Sequence, residues 1–553
     1  MHELKRAARS WSTCLLLPLL ATVACGPGKD EVTTADASSD GPPPVANPNV
    51  HQTGSAEAGR DVFRFETFGN EGFWTDAARL PQGMMQAKLT PKQALEAGLQ
   101  IDIDAVEGKL RRDIEREAGT DLSPQRAPMM NDPRTMLALV NANAIVGFVT
   151  KDANRDGVLD VARGDKVGVA CTLCHTITDR SVYDLPSGGS IGKRVDGPAA
   201  QTLNVGRLLA VAANSRAFYP NLQHRFLGVS IGRTNTALGP NSSEAEVDAY
   251  LSDTAAYPIG TFDETQDGNG NPVKNTPLFR QDLAAPYGSA GEFRILDDIS
   301  NASYTTNLDP STLLTAEGRV FLEKKAGPAG TQMVKEYERI LRETGVTRYP
   351  FVQASMTGKV GVPESPVGRR VENQKLLDMN AYLDRLPAPP GAPVDRAASA
   401  RGKELFRRDC TSCHNVDQSK FVPPMLVELK TVWPAYAPVP VGLRGDKDLS
   451  QILNSVGAYD NKMVVVDASD RGEKRGVSMP MLLDLARTKL FLHDASVLSL
   501  SSLLDPERGE SSPHPFYLRD PRQRADMVEF LRGLGTDSVP PTRTASASLA
   551  KKR

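Results

Sequence analysis

Two pentapeptides hold the most chemistry in this chain, Cys171-Thr-Leu-Cys174-His175 and Cys410-Thr-Ser-Cys413-His414. Each sets two thiols three positions apart and places an imidazole directly after the second. Thiols at that spacing meet the two vinyl groups of one porphyrin, and the adjacent imidazole reaches its iron from the same short loop. This is the signature of c-type haem attachment. A redox dithiol has no need of the histidine, and four thiolates round one structural zinc seldom come from segments so far apart. The chain has six cysteines; Cys14 and Cys25 fall in its N-terminal leader and all the others fall in the pentapeptides, so none is left for a disulfide. The expected cofactors are two haem c groups, attached through Cys171, Cys174, Cys410 and Cys413. His175 and His414 are the expected proximal iron ligands.

What occupies each second axial position decides what such irons do. Methionine or histidine there makes an electron carrier, whereas an open position admits oxygen or peroxide. Of the seven histidines, His2 lies in the leader, His51 in the segment after it, and two are proximal, which leaves His224, His493 and His514. His493 precedes an apolar stretch and reads either as a core histidine or as an axial ligand of the C-terminal haem. Met479 and Met481, in Ser478-Met-Pro-Met481, are its rivals. His514, in a polar Ser-Ser-Pro-His-Pro loop, reads as solvated. For the N-terminal haem the nearby histidine is His224, and an empty sixth position is the alternative; Met84, Met85, Met129 and Met130 are further candidate ligands that read first as core packing.

A third constellation precedes the first motif. Asp152, Asn154 and Asp156 alternate before Gly157, and Asp160 follows. Oxygen ligands at alternate positions followed by glycine match the first half of a calcium loop. Arg163 stands where the closing glutamate of an EF-hand belongs, so the readings are a partial calcium loop or a simple polar turn. A stretch from Asp263 to Asn271 echoes the pattern more weakly.

The elements that must position these groups are mainly helical. Ala58-Gly59-Arg60-Asp61-Val62-Phe63 opens an amphipathic helix, and Arg401-Gly402-Lys403-Glu404-Leu405-Phe406 repeats its order of residue types just before the second motif. The two phrases read as the opening helices of two modules, the first module carrying a large insertion before its motif. Pro387-Ala-Pro-Pro-Gly-Ala-Pro393 is a stiff connector. A last helix is expected over 522–534, capped by Asp520 and stopped at Gly535. The 45 glycines and 40 prolines imply long irregular segments, and strands are not prominent. The division expected is a leader at 1–25, a flexible tether at 26–55, an N-terminal haem domain with insertions at 56–386, the connector at 387–395, a C-terminal cytochrome c domain at 396–536 and a disordered tail at 537–553.

The leader has Lys5, Arg6 and Arg9 ahead of an apolar run from Cys14 to Ala24, the make-up of a secretory signal. Cys25 directly after it suggests lipidation, so the expected location is the periplasm or cell envelope, with a membrane reached through a lipid anchor at most. A formal net charge of -2 offers no basic excess to neutralise phosphates, so nucleic acid is not an expected partner.

With these residues in place, the chain resembles the dihaem cytochrome c peroxidase superfamily, which includes rubber oxygenases and large bacterial dihaem cytochromes. Four stretches carry the resemblance: Phe65-Glu-Thr-Phe-Gly-Asn-Glu-Gly-Phe-Trp74; Gly168 through His175 with Ile191-Gly-Lys-Arg-Val-Asp-Gly197 and Leu203-Asn-Val-Gly206; Pro387 through His414; and Met479 through Asp494 with the helix before Gly535. The resemblance implies two cytochrome c-type haem domains in a mainly α fold. It maps the superfamily's histidine in the aromatic-x-His-Asp segment onto His493, the expected distal ligand; in some members that histidine binds iron and in the peroxidases it lies nearby without binding it. Ala495 replaces the usual glycine and Leu483-Asp484 a usual Arg-Gly, so the mechanism does not carry over. The function expected is electron transfer with a redox partner protein or a small-molecule donor or acceptor; the alternative is a peroxidase- or oxygenase-like enzyme with one open iron.

Overall fold

The computed structural model describes residues 54–535, apart from short breaks at 227–228, 231–233 and 235, several positions between 265 and 294, and most of 421–475. The leader with Cys25, most of the tether and the tail lie outside the described residues.

The helix Ala56–Phe65 begins where the Ser55 hydroxyl accepts from the Ala58 amide at 3.3 Å, and it turns Gly59, Val62 and Phe63 inward. These three fall at positions one helical turn apart, so one stripe is buried. The stripe crosses the helix Asn373–Leu383, and a Cβ built on Gly59 would overlap the Asp378 carbonyl. Glycine at the crossing lets the two backbones meet, and Phe63 fills the space beside it in a cluster with Met379.

The C-terminal part repeats the arrangement. The helix Arg396–Asp409, capped by Asp395 on the Ala398 amide at 2.7 Å, crosses the helix Pro521–Gly533, capped by Asp520 on the Arg522 amide at 2.8 Å. Here Gly402 meets the Asp526 carbonyl, and Phe406 packs against Phe530 with ring centres 5.3 Å apart. The spacing from glycine to phenylalanine is the same in both copies because both residues must face one partner helix. Burying each phenylalanine contributes about 2–3 kcal/mol.

Between the first pair of helices the chain makes a long excursion with its own core. This core gathers Phe73, Trp74, Ile145, Phe148, Tyr257 and Tyr337, all nearly or fully buried. The longest helix, Ala316–Glu343, is broken at Gly327, whose φ of 53° lies in the left-handed region, ahead of Pro328. Strands among the described residues form sheets of two or three only. The proline-rich connector is not a free hinge. Its Ala392 amide donates to the Arg532 carbonyl at 2.9 Å, which seats it on the end of the last helix. The two halves also touch elsewhere: Lys489 N–H donates to Gln201 Oε1 at 2.6 Å, the Ser478 hydroxyl to the Gly288 carbonyl at 2.6 Å, and Lys274 N–H to the His493 carbonyl at 2.8 Å.

Candidate cofactor sites

The first motif forms one helical turn, Thr172–His175, opened by Cys171, whose carbonyl accepts from the His175 amide at 3.2 Å. This turn stacks both thiols and the imidazole on a single short segment. The excursion brings it back to the end of the opening helix: the Thr172 hydroxyl donates to the Arg64 carbonyl at 3.5 Å, and the Tyr304 hydroxyl lies 3.1 Å from Cys171 Sγ and 3.2 Å from the Glu66 carbonyl oxygen. Asp196 fixes the junction. Its buried carboxylate accepts from Arg64 at 2.7 Å, Tyr382 at 2.6 Å and Thr176 at 3.1 Å, which joins both crossing helices to the motif.

His175 is held from behind. Its Nδ1 donates to the Thr276 carbonyl at 2.7 Å, leaving Nε2 as the bare nitrogen, the orientation that readies an imidazole for a metal. Burial pushes its pKa down to about 4, so the ring is neutral. Lys274, two residues before Thr276, is also pushed down, to about 8, by burial.

At the second motif the Cys410 carbonyl accepts from the Cys413 amide at 3.2 Å and the His414 amide at 2.9 Å, the same single turn. It follows directly on the helix that carries Gly402. A pocket beside it is lined by Cys413, His414, Gln418, Met479, Pro480 and Leu482, and Gln418 Oε1 accepts from the Leu482 amide at 2.8 Å, holding the Met479 segment there. Burial pushes the His414 pKa down to about 4.

The residue that sequence reasoning missed is His514. Its ring centre lies 6.4 Å from that of His414, and its Nδ1 is shut off from solvent with no hydrogen-bond partner. The solvated reading is therefore corrected. The loop turns inward because the His514 amide donates to the Val432 carbonyl at 2.5 Å and Arg508 holds the Pro513 carbonyl at 2.6 Å. Burial, then the neighbouring His414 and Arg508, push its pKa down to about 3. No local signal marked it, since prolines and serines around a histidine describe an exposed turn equally well.

His493 offers its carbonyl to Lys274 at the contact between the halves, and its Nε2 is buried. Met481 packs between the small apolar cluster of Phe279, Ala388 and Leu483 and Met479, which itself packs on Cys413. His224 is buried against the Tyr219 ring, and its Nε2 meets the Tyr219 carbonyl. Met84 and Met130 are in the core.

In the acidic loop, ligand oxygens of Asp152, Asp156 and Asp165 lie within 4.8 Å of one another. Asp165 was not foreseen. It is 1% exposed and accepts from the Ala153 and Asp160 amides, both at 2.8 Å. Asp160 instead caps a short 3-10 turn through the Ala162 amide at 3.0 Å and pairs with Arg163 at 3.2 Å. Asn154 stays in the loop, its Nδ2 donating to Asp156 at 3.1 Å.

The residues present fit a covalently held haem at each motif. None of the four motif cysteines is paired in a disulfide. Burial raises Cys171 and pushes Cys174 and Cys410 up to about 12, the reverse of the lowered value that activates a redox dithiol. Each motif supplies two sulfurs and one neutral imidazole from one turn.

No protein-family model matches this chain, and no curated protein does. Among solved structures it is similar to a chain of the Kuenenia stuttgartiensis hydrazine synthase pressurized with xenon, with 13% identity and a TM-score of 0.26, over 48% of this chain and 74% of that one. Likeness at that level assigns neither a fold nor an activity.

Proposed function

We propose that this chain is an exported dihaem c-type cytochrome that passes electrons through two covalently bound haems to or from a redox partner protein or a small molecule. The observation that carries the reading is the repeated architecture. In both halves a glycine-bearing helix crosses a second helix, and a Cys-x-x-Cys-His turn lies at the first helix's C-terminal end. The second motif follows its helix directly; the first returns to the same place after a long excursion, through Thr172 and Tyr304.

Bound haem supplies the one-electron chemistry. The chain's residues attach, orient and connect. Cys171, Cys174, Cys410 and Cys413 are the attachment thiols, and His175 and His414 present neutral imidazoles. The Thr276 carbonyl sets the His175 ring, and the same segment donates through Lys274 N–H to the His493 carbonyl. A continuous hydrogen-bonded and covalent route therefore runs from the first motif into the other half. The test is a stoichiometric reduction of the holoprotein: two electrons taken up per chain, with both irons inert to carbon monoxide and peroxide, supports the carrier.

The second reading, a peroxidase- or oxygenase-like enzyme with one open haem iron, is favoured by one observation. His224, the histidine nearest in sequence after the first motif, directs Nε2 to the Tyr219 carbonyl. Carbon monoxide binding to one of two haems would select this reading. The loop that gathers Asp152, Asp156 and Asp165 takes a structural calcium in either case, its ligands being oxygen throughout.

A further inference from the structure

We infer that His514 is the second axial ligand of the C-terminal haem, opposite His414. The inference rests on the dihaem reading and makes it more specific.

Three observations carry it. The first is spacing. Two imidazoles bound to one metal from opposite sides, each through a bond of about 2 Å, hold their ring centres roughly 6 Å apart; the His414 and His514 centres are 6.4 Å apart, with planes inclined at 54°. The second is an unsatisfied atom. His514 Nδ1 is buried and has no hydrogen-bond partner, so no contact of that nitrogen occupies the ring and the imidazole is left open to a metal. The third is placement. His514 has a φ of 55°, in the left-handed region, between two prolines, and its amide is tied to Val432. Val432 in turn packs in the group that contains Met479 and Cys413. A side chain held in that backbone state is over-determined by its surroundings and aimed by them.

Met479 is the competing ligand, since it borders the pocket that His414 lines. Its thioether is satisfied by apolar packing against Cys413 and needs no metal. An imidazole does not have that option. Met479 lines the pocket beside Cys413 and His414, and the His514 ring stands 6.4 Å from the His414 ring.

Histidine in place of methionine lowers the reduction potential of such a haem. The experiment uses the full-length holoprotein, with electron paramagnetic resonance and the near-infrared charge-transfer bands as readouts and the haem count measured first. Bis-imidazole signals are expected from one haem, without a sulfur-to-iron band. His514→Ala should turn that haem high-spin while two haems per chain remain, and added imidazole should restore the low-spin state; Met479→Leu should leave it unchanged. A sulfur-to-iron band from the C-terminal haem of the unmodified protein, or low-spin character lost in Met479→Leu and kept in His514→Ala, overturns the assignment. Where His514→Ala does not fold, a sulfur-to-iron band from the C-terminal haem of the unmodified protein still overturns the assignment, and His493→Ala, which should keep that haem low-spin, separates His514 from the other imidazole. Fewer than two haems per chain would instead defeat the dihaem reading on which it rests.

Discussion

Replacing Gly402 by alanine tests the helix crossing from which the C-terminal motif hangs. On propensity alone the change stabilises a helix, by about 1 kcal/mol. At this crossing the new Cβ would overlap the Asp526 carbonyl and approach Phe530 Cβ at 2.8 Å. A backbone carbonyl inside a helix cannot swing aside, so the two helices must part and loosen Phe406 from Phe530. Overpacking of that kind costs about 1–3 kcal/mol, and with backbone as the obstacle the upper end applies, for a net loss of about 2 kcal/mol. In a unit of this size each kcal/mol moves the midpoint by roughly 2–4 °C, so the expected fall in Tm is about 4–8 °C. Gly59→Ala, which meets the Asp378 carbonyl, should lower Tm similarly. The two sites share no partner, so the double variant should show the sum. The assay is thermal unfolding of the holoprotein followed by far-ultraviolet circular dichroism. A Tm for Gly402→Ala that is unchanged or raised would mean that propensity wins and the helices do not cross at that residue.

Two further predictions follow from charged groups. Burial, then the nearby Asp282 and Asp297, push the pKa of Asp384 up to about 8. A carboxyl raised on folding contributes its stability fully below the ordinary carboxylate range and loses it as pH rises through about 8. Tm should therefore fall from pH 5 to pH 9, by an amount worth about 2–4 kcal/mol, and Asp384→Asn should flatten the slope; an equal slope in the variant refutes the assignment. In the acidic loop, Asp165→Asn should weaken calcium binding on the order of tenfold or more by calorimetry, and Asp160→Asn much less. The reverse order would restore the sequence-based ligand set.

The parts of this molecule that were legible in sequence are those whose chemistry is local. A Cys-x-x-Cys-His turn closes within five residues, and the cap Asp520 acts two residues away. The repeated glycine and phenylalanine were visible as a phrase, but their purpose, a backbone contact with a helix far along the chain, appears only when Asp378 and Asp526 are seen opposite them. Long-range groups left no trace. The carbonyl that orients His175 belongs to Thr276, and any residue type supplies a carbonyl. Asp165 was overlooked because the expected spacing stopped at Arg163, which pairs with Asp160 and Asp156 instead. His514 was misjudged because a polar loop between prolines gives no hint of which way it folds; Val432 and Arg508 decide that from outside it.

The account's central claim is that two porphyrin irons are bonded to this polypeptide, and intact-protein mass spectrometry with a haem assay of the mature chain tests it most directly. Two haems per chain are expected, falling to one when Cys171 and Cys174 are both alanine and likewise when Cys410 and Cys413 are. A mass equal to that of the bare polypeptide, with no Soret absorbance, would contradict the account outright.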